Sequence, residues 1–299
     1  MVDILPFVES SSCQFGCLPE DIETYGIDGV CPECAQKYGE NIPFSELAKV
    51  KIMELPLNTD LESVTGSIDE IYHKNSKIRL KRGILSLADK NILYIDEVNI
   101  LPNEIINSIL DAAAMGKYTL HRASMSSTFR SRFTLIGSMN PEEGNLRPQI
   151  MDRFGLRVVT SGLNENADRL EAYFRASHYL NNPHEFIQIF QDENSIARQE
   201  IENARKFVWK VKIDPKIAMF GIQLIKDLNI HSLRAELTLF EAAKALAASE
   251  NREHITTEDI KTIAPLALRL RRSTYITNFM ENNEAENNEI ISSLAKILA

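Results

Sequence analysis

Apolar positions along the chain fall into two patterns, one before Gly162 and one after it. In the first part, short apolar runs alternate with turn residues. Residues 51–57 read as a strand ended by Pro56 and Asn58, and the unbroken apolar run Ile92, Leu93, Tyr94, Ile95 reads as a buried central strand. Residues 61–74 follow the first strand with Gly66 near their start, and residues 77–89 are a mixed basic and apolar stretch around Gly83. Residues 102–114 have helical spacing, with Pro102 suited to the first turn and Gly116 to the end. Residues 118–133 alternate as a β-hairpin, residues 133–139 read as a second buried strand, residues 148–154 as a short helix closed by Gly155, and residues 156–160 as an edge strand. In the second part, the windows 168–180, 196–211, 215–228, 233–248 and 257–272 carry helical periodicity, with Thr256 and Asp259 spaced as a cap. Residues 1–50 show neither period and read as irregular; residues 281–289 are acidic and Asn-rich, and 290–298 suit a last short helix.

This order predicts an α/β core over residues 1–160, an all-helical domain over 161–280 and an acidic tail over 281–299. Ligands of open α/β sheets bind at the carboxyl ends of strands. Asp96 and Glu97 stand there, directly after the 92–95 run. An Asp so placed suits holding Mg²⁺ on a nucleotide, and the next Glu suits orienting an attacking water, which is a Walker B pattern. A strand that ends in acids because it reaches the surface gives the same letters. The partner motif G-x-x-x-x-G-K-[ST] does not occur in the sequence. Its only Gly-Lys pair, Gly116-Lys117, has Asp111 where the first Gly belongs and Tyr118 where the hydroxyl belongs.

Four cysteines fall as Cys13-x3-Cys17 and Cys31-x2-Cys34, with thirteen residues between the pairs. That spacing suits a tetrahedral Zn²⁺ better than disulfides in a reducing compartment, with free thiols as the alternative. The net charge of −9 argues against a general nucleic-acid surface. The first residues, MVDILPFVESSSC, have no signal-peptide pattern, and no stretch approaches the roughly 18 apolar residues of a membrane span, so the cytoplasm is expected. Trp209 reads as helix packing. Three further residues read blandly by themselves: Asn140 before Pro141 as a turn residue, Arg153 as an ion-pair partner of Asp152, and Arg234 as a surface arginine. Ser232 is a credible N-cap, and a cation directly after it opposes the helix dipole, so Arg234 calls for another reason.

The segments RGILSLADKNILYIDEVNILPNEIINSILDAAAMGKYTLHR, RFTLIGSMNPEEGNLRPQIMDRFGLRV, LRAELTLFEAAKALAA and ITTEDIKTIAPLALRLRR resemble the ATPase subunit I of magnesium chelatase, a member of the AAA+ family. The resemblance runs from about residue 5 to about residue 275. It implies an α/β AAA+ core of the P-loop NTPase type, N-terminally truncated and followed by an all-helical lid. The missing piece would be the first core strand with the Walker A loop and its helix, leaving an exposed sheet edge. By the same resemblance Asp96 and Glu97 are the Walker B pair and Asn140 is sensor 1. Arg153 is an arginine finger that serves a neighbouring subunit, Arg147 a second interface arginine, and Arg234 sensor 2. Residues 64–69 resemble the family's insertion in its second helix, which together with the 118–133 hairpin would face a ring pore or partner subunit; a plain surface hairpin is the alternative.

The resemblance further implies ATP and Mg²⁺ as ligands, a hexameric ring, a partner with a von Willebrand A domain and a large catalytic subunit that inserts Mg²⁺ into protoporphyrin IX. Related complexes insert cobalt into a corrin precursor or remodel other clients. Without Walker A the chain is not expected to be self-sufficient. A late-assigned start, a second polypeptide that supplies the loop, or a non-hydrolysing ring member acting in trans each account for the gap. A DNA-associated AAA+ protein of the minichromosome-maintenance kind is a further rival, disfavoured by the acidic balance and the NPEEGNLRPQIMDRFG text.

Overall fold

The computed structural model describes residues 2–70, 78–122, 125–144, 146–273, 278 and 290–291, and it divides into two units, Met1–Leu146 and Arg147–Ala299. The start of the chain is structured rather than irregular. Strand β1 (Val8–Ser11) pairs antiparallel with β2 (Ser45–Ala48), and the helices α1 (Pro19–Tyr25) and α2 (Pro32–Gly39) lie between them in sequence. These strands are polar and half-buried or exposed, so backbone pairing rather than an apolar period holds them.

The core sheet of the first unit is parallel. Strand β3 (Ile52–Leu55) is followed by α3 (Leu61–Thr65), the antiparallel hairpin β4 (Gly66–Glu70) and β5 (Ile78–Arg82), and α4 (Ile84–Leu87). Gly66 makes the switch from helix to hairpin: its φ is +93°, and a Cβ there would sit 2.3 Å from the Lys81 carbonyl oxygen. Next come β6 (Ile92–Ile95), α5 (Asn103–Met115), the hairpin β7 (Lys117–Arg122) and β8 (Met125–Arg130), and β9 (Thr134–Gly137). The strand order is β3-β6-β9, with Ile92 opposite both Ile52 and Thr134.

Ile92, Leu93 and Ile95 are buried, as are Ile105, Ile106, Ile109 and Leu110 of α5, whose spacing puts them on one helical face. Helix α5 ends at Gly116, which takes a left-handed φ of 66°. The second strand of the sequence reading is present but is not buried. Thr134 and Gly137 are exposed and Leu135 and Ile136 half-buried, because β9 lies at the sheet edge among the described strands.

The second unit is helical among its described residues: α6 (Pro148–Met151), α7 (Asn166–Asn181), α8 (Pro183–Ile189), α9 (Gln191–Phe207), α10 (Pro215–Asp227), α11 (Leu233–Ser249) and α12 (Thr257–Leu268). Its core runs along α11, where Ala235, Leu239, Ala243 and Ala247 repeat at one-turn spacing and are fully buried. Ile225 of α10 and Ile260 and Ala267 of α12 close that core. The Thr256–Asp259 capping box forms as expected.

Other readings are corrected as well. Helix α8 was not foreseen. Residues 156–160 form no strand: Leu156, Val158 and Val159 are exposed while Arg157 is buried. Trp209 is 89% exposed in a single 3-10 turn after α9 and does not pack a helix. The expectations for residues 281–289 and 292–298 lie outside the described residues, as do those for residues 71–77.

Candidate active site

Parallel register decides which side chains meet at the carboxyl end of the sheet. Ile95 lies opposite Gly137, so the next residues, Asp96 and Ser138, are neighbours. The Ser138 hydroxyl donates to Asp96 Oδ1 and accepts the Glu97 amide at 3.1 Å. The Tyr94 hydroxyl donates to the same Asp96 oxygen at 3.1 Å. These bonds, Ser138 first, hold the Asp96 carboxyl below its ordinary range. Asp96 is thus an exposed carboxylate, oriented and ionised, which is the donor a divalent cation on a nucleotide requires.

Glu97 has a φ of +51°, a conformation non-glycine residues rarely adopt. Its own amide on Ser138 Oγ, and the Val98 amide on the Ser138 carbonyl at 2.9 Å, hold it there. Such conformations concentrate at functional sites. The Glu97 carboxyl is pushed up, chiefly by the nearby Glu143 carboxylate, then by desolvation and Asp96.

Asn140, the expected sensor, caps the short turn Pro141–Glu143 by accepting the Glu142 amide at 3.2 Å. Asn99 donates its side-chain amide to the carbonyls of Asn140 and Gly144, at 3.3 and 3.2 Å, and so clasps that turn against the end of β6. Asp96, Glu97 and Asn140 are therefore assembled at one end of the sheet. Ser138, Tyr94 and Glu143 complete the site and were missed by sequence reasoning. The signal for Ser138 was available: two parallel strands with acids ending one place the residue at the end of the other beside them.

In the second unit Asp152 is the organising carboxylate. It accepts the Arg271 guanidinium at 2.7 Å, the Ser232 hydroxyl at 2.9 and 3.0 Å, and Arg234 at 3.2 Å. Ser232 stands at the N-cap of α11, but its hydroxyl goes to Asp152 and makes no cap bond. Arg234 is exposed and turned to Asp152; Arg153 and Arg147 are exposed. Arg271 has no side-chain exposure and also donates to the carbonyls of Asp152, Phe154, Gly155 and Ala267. Arg157 is buried beside it and donates to the Met151 and Arg269 carbonyls. Burial, then repulsion from Arg271, lowers Arg157 to about 10. Two buried arginines thus fix the loop that carries Arg153.

Breaking a buried charge pair typically costs about 3–5 kcal/mol, whereas an exposed pair contributes about 1 kcal/mol or less. Arg271→Ala should therefore lower the unfolding free energy of the second unit by roughly 3–5 kcal/mol, and Arg234→Ala by less than about 1 kcal/mol, in denaturant titrations. Similar losses for the two variants would contradict the structural assignment of Arg271.

The four cysteines also converge. The Sγ atoms of Cys13, Cys17, Cys31 and Cys34 all lie within 4.8 Å of one another, and none forms a disulfide.

Comparison with known proteins places these features in context. Residues 74–161 match the family model "Magnesium chelatase, subunit ChlI", and residues 222–294 match "AAA lid domain". A magnesium-chelatase subunit ChlI homolog of Methanocaldococcus jannaschii is 39% identical over 279 residues, covering 92% of this chain and 74% of that protein. The chloroplastic magnesium-chelatase subunit ChlI of Oryza sativa subsp. indica is 34% identical over 275 residues, 91% of this chain but only 65% of the rice protein. Subunit ChlI of Anabaena variabilis is 35% identical over 78% of this chain and 69% of its own length. A crystal structure of a putative ATPase from Cytophaga hutchinsonii superposes with a TM-score of 0.51 at 21% identity, covering 74% of this chain and 68% of that one, and supports the fold.

Proposed function

The chain belongs to the magnesium chelatase subunit ChlI family, with an α/β AAA+ core and a helical lid, and from that premise we propose that it works as an ATPase-type subunit of a ring in the cytoplasm. The observation that carries this reading is the constellation of Asp96, Glu97 and Asn140 at the carboxyl ends of β6 and β9, braced by Ser138 and Asn99. Asp96 holds the magnesium of Mg-ATP. Glu97 orients and deprotonates the attacking water, and Asn140 contacts the transferred phosphate. Arg153 reaches the phosphate bound by a neighbouring subunit, with Arg147 beside that interface, and Arg234 leaves Asp152 for the nucleotide phosphates. The ring's work is metal insertion into a tetrapyrrole or related remodelling, with a von Willebrand A-containing subunit and a large catalytic subunit as partners. Among the described residues no helix is long and apolar enough to cross a membrane.

The 299 residues contain no G-x-x-x-x-G-K-[ST] loop. In this reading the backbone cradle and lysine that fix the β- and γ-phosphates come from polypeptide outside them. Among the described strands β9 has no neighbour on its outer edge, which offers a strand-bearing segment a place to pair. The same absence favours a second reading, in which the chain hydrolyses nothing itself and serves a neighbour through Arg153. Glu97-dependent turnover once a phosphate loop is supplied separates the two.

A pH profile checks the role of Glu97. A base must be ionised to act, and the raised Glu97 carboxyl should cost turnover as pH falls through a value above the usual carboxylate range. Glu143→Gln removes the main repulsion, so the acid limb of the profile should move to lower pH. An unmoved acid limb would separate Glu97 from the titrating step.

A further inference from the structure

We propose that Cys13, Cys17, Cys31 and Cys34 bind one structural Zn²⁺, and that this ion braces the N-terminal module against the β7–β8 hairpin. The inference is independent of nucleotide chemistry. Four thiolates at about 2.3 Å from one tetrahedral zinc stand about 3.8 Å from each other. The four Sγ atoms here lie within 4.8 Å of one another, so a single ion at their centre satisfies all four with small adjustments. Cys13, Cys17 and Cys34 are buried with Phe44, and Phe15, Ile22 and Val30 pack around them.

Local backbone supports the same reading. The Cys17 amide donates to Cys13 Sγ and the Cys31 amide to Cys17 Sγ, both at 3.3 Å. Such bonds orient ligand sulfurs and favour their ionised form. The turn between the first two ligands closes through Gly16, whose φ is +78° and whose amide bonds the Cys13 carbonyl at 3.3 Å. Cys31 is the N-cap of α2, Pro32 takes its first position, and Cys34 follows within the first turn, where the helix dipole favours negative sulfur.

The module has one elaborate attachment. Arg130, at the end of β8, reaches Asp21 and, at 2.8 Å, Glu20; Lys90 also bonds Glu20, at 3.0 Å. Phe15, between the two ligands of the first pair, stacks on Phe129 with ring centroids 5.6 Å apart. Both contacts depend on the chain path from Cys13 through α1. Zinc binding displaces four thiol protons and ties Cys13 and Cys17 to Cys31 and Cys34, which fixes that path.

The test is elemental analysis of the 299-residue protein purified in reducing buffer, combined with thiol titration and limited proteolysis. One zinc per chain is expected, with the thiols unreactive until a strong chelator is added. Chelation should expose four thiols and speed cleavage in residues 1–48 and in the 117–130 hairpin by about tenfold or more, while the helical unit keeps its cleavage rate. Cys34→Ser should reduce zinc to a small fraction of one equivalent, with the unfolding transition of the helical unit unchanged, which separates lost ligation from general misfolding. Metal-free protein with four reactive thiols, two disulfides, or a site filled by iron would each overturn the zinc assignment. Cleavage of the hairpin indifferent to chelation would overturn the brace.

Discussion

Mixed rings that contain this chain with Arg153→Ala should lose about 10³-fold or more in ATP turnover at the sites it serves, while incorporating the chain as well as wild type does. The size follows from the work assigned to the residue. A planar, permanently charged guanidinium supplied from a neighbour stabilises charge on the transferred phosphoryl group, and it is needed only at the transition state. Asp152, the adjacent acid, is occupied by Arg271, Ser232 and Arg234. Arg271 and Arg157 pin the surrounding backbone through carbonyls from Met151 to Gly155. Arg153, on the same stretch, is exposed. The measurement is ATPase rate at equal incorporation, with the chain mixed into a complete ATPase subunit of the same organism. Equal rates would confine Arg153 to a local contact.

The second large effect is at Glu97. When a phosphate loop completes the site, Glu97→Gln should lower turnover by about 10²–10⁴-fold, the range a positioned general base contributes. Nucleotide binding should persist, because Asp96 keeps its bonds to Ser138 and Tyr94. A Glu97→Gln complex that binds Mg-ATP and does not turn over is the expected state, seen as retained nucleotide in equilibrium binding with a collapsed kcat. Parallel loss of binding would instead assign Glu97 to metal or phosphate contact.

The parts of this architecture that were legible in the sequence are those written in local pattern. The 92–95 run is buried on both faces and became β6 between two parallel neighbours. The α5 and α11 faces repeat every turn, and Thr256 with Asp259 encodes its own cap. What escaped is written in long-range contact. Strands β1 and β2 are polar, so no alternation betrayed them. Residues 156–160 read as an edge strand, yet they form none, and Arg157 is the buried member, because its guanidinium finds the Met151 and Arg269 carbonyls. Arg271 stands 119 residues from the aspartate it neutralises, and its place among Arg269 and Arg272 gives no hint of which arginine turns inward.

The candidate site shows the same division. Asp96 and Glu97 stood out in the sequence because they directly follow the 92–95 run, and the fold puts them at the carboxyl end of β6. Ser138 and Glu143 emerged only when the register placed β9 beside β6. The cysteine spacing hinted at convergence, and the fold brings the four sulfurs together.

Steady-state ATP turnover by the 299 residues, measured alone and then with a polypeptide that carries a phosphate-binding loop, tests the central claim most directly. The account predicts background turnover alone, and on mixing a rate that Glu97→Gln removes. Clear turnover by the 299 residues alone, abolished by Glu97→Gln, would contradict it.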